Sequence, residues 1–182
     1  MRHVTLITTG GTIEKTYDEG TGSLENRRSI VGRMLHRLRL DGTIVSTIEL
    51  MSKDSLLMTD ADRERIAQAV SAAGGAAGGG GGAGNAGVTQ GIVILHGTDT
   101  LEKTGEHLLK AMGAAGPSVP IVLTGAMRPF EMKRSDALQN LTEAIFATGV
   151  LPAGVYCVAH GKALAFPGVV KDRDRMTFRK QG

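Results

Sequence analysis

Five stretches of the chain carry an almost unbroken run of apolar and β-branched residues: 3–9 (HVTLITT), 43–50 (TIVSTIEL), 91–96 (GIVILH), 119–124 (VPIVLT) and 154–160 (GVYCVAH). Runs of this length with little alternation suit strands covered on both faces, the signature of a buried parallel sheet. Between them the apolar positions recur at helical spacing. One stripe is Ile30, Val31, Met34, Leu35 and Leu38, and a second is Ile66, Ala69, Val70 and Ala73. A third is Leu101, Leu108, Leu109 and Met112, and a fourth is Leu138, Leu141 and Ile145. Thr59 before DADRERIAQAV and Ser135 before DALQNLTEAI are expected as helix N-caps, each followed by carboxylates that suit the positive end of the helix dipole. Strand and helix alternate, which predicts an α/β fold: an open, mainly parallel sheet with flanking helices and right-handed crossovers. Its ligands would bind beyond the carboxyl ends of the strands.

One segment breaks the pattern. Residues 74–87 (GGAAGGGGGAGNAG) hold nine glycines in fourteen positions, too few side chains to pack, and are expected to form a flexible loop that is an inert insertion. The 182 residues, 41% of them hydrophobic, suffice for one core, so 1–182 is expected to be a single domain. The lone Cys157 excludes an intramolecular disulfide and favours a reducing compartment, with a cytoplasmic location expected. The first apolar run is too short for a signal peptide, and no stretch approaches the roughly 18 apolar residues of a membrane helix. The net charge of +3 is too diffuse to define an anionic partner. The arginines of RRSIVGRMLHRLRL read as a solvated helix face rather than a nucleic-acid surface.

A parallel sheet brings the residues after each strand together: Thr8 to Thr12, then Ser52 to Ser55, then Thr98, Asp99 and Thr100, then TGAMRP, then HGKALAFPGVVKDRD. Such a crevice is rich in hydroxyls and holds glycines that admit close backbone approach, an aspartate and lysines. A phosphate cradle would need G-x-x-x-x-G-K-[ST] or a complete G-x-G-x-x-G, and neither is present. The G-x-S-x-G elbow of serine hydrolases is absent too, and the histidines show no metal-ligand spacing. Acyl transfer fits better, with a threonine hydroxyl attacking an amide carbonyl, a nearby base taking its proton and backbone N–H groups holding the oxyanion. Tyr17, close after Thr12, is a candidate for the partner a threonine needs.

The ordered set TGGTIEK (9–15), HGTDTLEKT (96–104) and VLTGAMRP (122–129) resembles the bacterial-type L-asparaginases, over about residues 3–178 with the glycine tract unmatched. The resemblance implies the family's N-terminal-domain fold, Rossmann- or flavodoxin-like, and hydrolysis of L-asparagine to aspartate and ammonia without a cofactor or metal. It implies Thr12 as nucleophile, Tyr17 as its activator, and Thr98, Asp99 and Lys171 as a second catalytic group, with Lys162 the competing lysine nearby in sequence. Ser55 would bind the substrate carboxylate and Asp99 also its ammonium, with Gly11, Gly97 and Ala126 lining the substrate site. A homo-oligomer is implied, with no nucleic-acid or membrane partner. The chain ends where the long form's second domain would begin, so it resembles the short form. Glu14 or Glu19 would then stand in for the acidic residue that domain supplies, and Leu56 replaces a polar neighbour of the substrate-binding serine. The alternative is a non-catalytic module that kept the cleft and binds a small amino acid.

Overall fold

A computed structural model describes residues 1–76 and 88–181. The chain opens with β1 (Arg2–Gly10), a short hairpin of β2 (Thr16–Asp18) and β3 (Ser23–Glu25), and the one-turn helix α1 (Val31–Leu35). Then come β4 (Thr43–Lys53), α2 (Asp60–Ala72), β5 (Gly91–Leu95), α3 (Leu101–Ala111), β6 (Pro120–Thr124), α4 (Ala137–Ala147) and β7 (Gly154–Ala159). It closes with β8 (Lys162–Ala165) and a second hairpin, β9 (Val169–Asp172) and β10 (Thr177–Lys180).

The six-stranded sheet runs β4-β1-β5-β6-β7-β8, parallel except for β8, which returns antiparallel along β7. The five parallel strands thus follow the flavodoxin order, with the direction of winding reversing between β1 and β5. The register Val4↔Gly91 to Thr8↔Leu95 brings the ends of these two strands level, so the loops carrying Thr12 and Thr98 leave the sheet side by side at the switch point.

Alternate side chains of the central strands feed two cores. Ile7, Ile92, Ile94, Ile121 and Leu123 pack with Ile66 and Val70 of α2 and Leu101 and Leu108 of α3. Val4, Leu6, Val93, Leu95 and Val122 pack on the other face with Val31 and Met34 of α1 and Leu141 and Ile145 of α4. Burying each such branched side chain contributes about 1.5–3 kcal/mol, and cutting fully buried Ile94 to alanine should cost about 2–5 kcal/mol.

Local signals set the element ends. The Thr59 hydroxyl accepts from the Asp62 N–H while the Asp62 carboxylate accepts from the Thr59 N–H, a reciprocal cap on α2. Lys53 Nζ adds a 2.6 Å ion pair to Asp62, fastening the end of β4 to this cap. At the other end Gly75 N–H returns to Val70 O (2.9 Å) and Gly74 N–H to Ser71 O (3.0 Å), a Schellman termination with Gly74 at φ 89°. The first glycines of the expected loop 74–87 therefore close a helix; the remainder of that loop, 77–87, lies outside the described residues.

Three expectations need correction. Although parallel, β4 is not covered on both faces: it is the sheet's edge, and Ile44 and Ile48 keep 39% and 38% of their surface exposed. Ser135 is not the N-cap of α4, which starts one residue later at Ala137 behind Asp136. The Ser135 hydroxyl still accepts from Ala137 N–H, while the Asp136 carboxylate turns away to other partners. The segment after β7, read as a loop, instead folds into β8 and the β9–β10 hairpin, whose Phe178 and Val169 are buried in the core.

Candidate functional site

Glycines at the strand ends let the loops meet backbone to backbone. Gly10 and Gly11 follow each other at φ 95° and 81°, the left-handed region in which a side chain is strained. A Cβ on Gly11 would collide with the backbone of Gly97, one on Gly97 with the side chain of Ser55, and one on Gly125 with the carbonyl of His96. The loops after β1, β4, β5 and β6 are thereby locked together, and Thr100 Oγ1 donates to Ser55 O (2.9 Å) across the same junction.

Thr12 opens a short 3-10 turn, Thr12–Glu14, immediately after this glycine pair and is half-buried. The turn is held from beneath by Glu14, whose carboxylate accepts from Gly10 N–H (3.1 Å) and from the Ser29 hydroxyl. Burial raises the pKa of Glu14 against the pull of these hydrogen bonds. The Glu14 carboxylate is thus committed within the protein, and Glu19 is exposed.

Around Thr98 the geometry is complete. Lys171 Nζ, reaching back from β9, donates to Thr98 Oγ1 (2.8 Å) and to Asp99 Oδ1 (2.9 Å). Lys162 instead donates to the carbonyl of Phe178 (2.7 Å), so it braces β10 rather than reaching Thr98. Burial opposes ionisation of Asp99, but hydrogen bonds and charge from Lys171, then from Arg173, outweigh it and hold the carboxyl below its ordinary pKa. The Arg173 contact (3.0 Å to Asp99 Oδ1) was not anticipated from sequence. Nor was the role of His96, which is fully buried, and burial lowers its pKa to about 4, leaving the ring neutral. Because a carbonyl only accepts, Nδ1–H donates to Gly97 O (2.8 Å), and Nε2 accepts from the Thr104 hydroxyl of α3 (2.8 Å). The only sequence signal for this was a histidine at a strand end, preceding the glycine.

The other expected residues are less evenly gathered. Ser55 joins the junction but is 1% exposed, and Ala126 is fully buried. Tyr17 stands apart: it lies on β2 with 59% exposure, its backbone N–H held by Glu131 (3.2 Å), and no hydrogen bond joins its phenol to Thr12 among the described residues. A cleft of about 900 Å³ beside this hairpin is lined by Tyr17, Arg28, Ser29, Glu49 and Glu131 but takes in neither Thr12 nor Thr98. Leu56 is exposed, in the turn that begins at Ser55. Among the described residues no group of three or more His, Cys, Asp or Glu side chains is disposed to hold a metal ion, and no helix is long and apolar enough to cross a membrane.

A flavodoxin-ordered sheet whose switch point gathers two threonines, an aspartate and a lysine defines an asparaginase-like hydrolase fold. The chain belongs to the asparaginase family: residues 3–176 match the family described as "Asparaginase, N-terminal". It is 32% identical over 152 residues to the L-asparaginase of Thermococcus kodakarensis, covering 83% of this chain and 42% of that protein. It is 26% identical over 171 residues to a glutamyl-tRNA(Gln) amidotransferase chain of Methanococcus maripaludis, covering 89% of this chain and 36% of that protein. The solved structure of the thermostable L-asparaginase from Thermococcus kodakarensis superposes with a TM-score of 0.79 at 28% identity, over 98% of this chain and 51% of that one. The chain thus spans well under two thirds of the length of the relatives it matches.

Proposed function

We propose that the protein is an L-asparagine amidohydrolase. Thr12 Oγ attacks the side-chain amide carbon, the C–N bond breaks as the nitrogen leaves protonated as ammonia, and a β-aspartyl ester on Thr12 remains. Water then cleaves the ester to give aspartate and free Thr12. The observation that supports this best is the Lys171–Thr98–Asp99 cluster beside the Thr12 turn, since it supplies a hydroxyl held in place by the Lys171 amine where water would approach the ester. The Gly11 N–H is taken by the Lys53 carbonyl (2.8 Å), so the N–H groups of Thr12 and of the Gly97–Thr98 loop are the donors left for the developing oxyanion. Ser55 would hold the substrate carboxylate and Asp99 its ammonium. Tyr17 serves the nucleophile once the β2–β3 hairpin folds inward over Thr12.

The protein works as a cytoplasmic homo-oligomer in this reading, with buried, unpaired Cys157 suited to a reducing compartment. The likeness to the amidotransferase favours a second reading, in which the same amide cleavage supplies ammonia to a partner's reaction. Steady-state ammonia release decides between these readings. Turnover of asparagine by the protein alone, with glutamine weak or inert, supports the amidohydrolase. Turnover that appears only with a partner protein supports the second. Saturable binding of asparagine without ammonia would leave a binding module.

A further inference from the structure

His160 and Gly161 form a two-residue turn between β7 and β8, closed by the pair Ala159↔Lys162, and both have positive φ, 54° and 75°. A hairpin turn of that kind favours asparagine or glycine at its first position, so a histidine there sits in a conformation its side chain opposes. Departures from local preference of this sort concentrate where a side chain has another task. Both nitrogens of the His160 ring are engaged. Nε2 meets Asp136 Oδ2 at 2.8 Å and Nδ1 meets Thr177 Oγ1 at 2.9 Å.

Each partner leads to a different wall of the site. Asp136 accepts the backbone N–H groups of Met127 (2.9 Å) and Arg128 (3.0 Å), directly after Ala126 in the β6 loop. Asn140 strengthens that side, donating to Gly125 O (2.9 Å) and to Asp136 (2.9 Å) and accepting His160 N–H (3.1 Å). Thr177 begins β10, and its neighbour Phe178 pairs with Lys171 across the hairpin. The β9–β10 hairpin is a separate two-stranded sheet, so its alignment with the main sheet depends on contacts such as this one.

We propose that His160 is a positioning residue for amide cleavage. Its ring ties the hairpin that carries Lys171 to the β6 loop that carries Gly125 and Ala126, and the unfavourable backbone at His160 is retained for that bridge. The Thr177 hydroxyl donates or accepts as the ring requires, so the bridge acts by position. The proposal rests on the amidohydrolase reading for its effect on turnover, but not for its effect on the hairpin.

Two substitutions test it, each with two readouts. His160→Gly removes the ring and relaxes the turn, so the unfolding temperature should stay within about 3 °C of wild type. kcat for asparagine should fall about tenfold or more while KM moves far less, because Lys171 loses its alignment. Thr177→Val, nearly isosteric, should reproduce most of that loss, and in both variants the Lys171 and Phe178 amides should exchange with solvent about tenfold faster at equal global stability. A kcat within about twofold of wild type together with unchanged exchange would overturn the proposal. So would a loss of thermal stability with kcat intact, which marks a merely structural bridge. Should His160→Gly not fold, Thr177→Val decides by the same two readouts. Should the wild-type protein release no ammonia, the amidohydrolase reading fails, and exchange at Lys171 and Phe178 still decides whether His160 holds the hairpin.

Discussion

Thr98 and Thr12 leave neighbouring strands at the same end of one sheet, yet one is enclosed and the other waits. Thr98 is 4% exposed, its hydroxyl fixed by Lys171 and its loop braced by His96, Thr104 and the close approach of Gly125. Thr12 is half-buried, its turn fixed from below by Glu14, while the Tyr17 phenol stands outside on a three-residue strand. The difference follows from how each surrounding is held. The Thr98 side is assembled from α3, β6, β9 and β10, whose side chains reach the core. The Thr12 side depends on the small β2–β3 hairpin, in which Tyr17 and Leu24 face solvent. On the proposed mechanism, such a site would bind substrate against its preformed half first and complete its nucleophile as the hairpin closes.

The largest effect is expected from Thr12→Ala, which keeps the turn but removes the proposed attacking oxygen. Ammonia release should fall on the order of 10⁴-fold with the circular dichroism spectrum unchanged. Activity within a few-fold of wild type would move the nucleophile to Thr98 and reverse the comparison.

Lys171→Met should lower kcat about 10²–10³-fold. Lys162→Met should cost far less, about tenfold at most, because that lysine touches no reacting group and acts only by bracing a carbonyl of β10. The choice between these two lysines shows where sequence stops being sufficient. Lys162 and Lys171 lie nine positions apart in similar surroundings, and only the β9–β10 register, with Phe178 opposite Lys171, decides which one points to Thr98. The five strands, four helices and three signature loops were legible because apolar periodicity and the glycine-threonine clusters are local. The edge position of β4 was not, since TIVSTIEL has the composition of a central strand and only sheet order exposes it. The β7–β8 turn was hidden for a different reason: His-Gly is not a favoured hairpin pair, and its partners Asp136 and Thr177 are distant in sequence.

Tyr17→Phe sharpens the open half of the comparison. It should lower kcat about 10- to 100-fold with little change in KM, since in the proposed mechanism the phenol would meet Thr12 only after closure. Loss of substrate binding without loss of kcat would show that the hairpin only covers the ligand.

Asp136 gives the smallest effect and probes the closed half. Burial opposes its ionisation, but hydrogen bonds from His160 and from the Met127 and Arg128 N–H groups outweigh it and bring the pKa from 3.8 to about 2. A depressed folded-state pKa stabilises above the unfolded value, so this contribution, about 2 kcal/mol, is full above pH 5 and fades as pH falls from about 4 towards 2. Wild type should therefore exceed Asp136→Asn in unfolding free energy near pH 6, and the gap should shrink below pH 4. A gap independent of pH would mean that the carboxylate charge does not hold the β6 loop.

The central claim, that Thr12 attacks and the Thr98 cluster resolves the product, is tested most directly by trapping the intermediate. Lys171→Met incubated with L-asparagine and quenched in acid should carry a β-aspartyl ester, and peptide mass spectrometry should place it on Thr12. An ester on Thr98, or none on either threonine while ammonia is still released, would contradict the account.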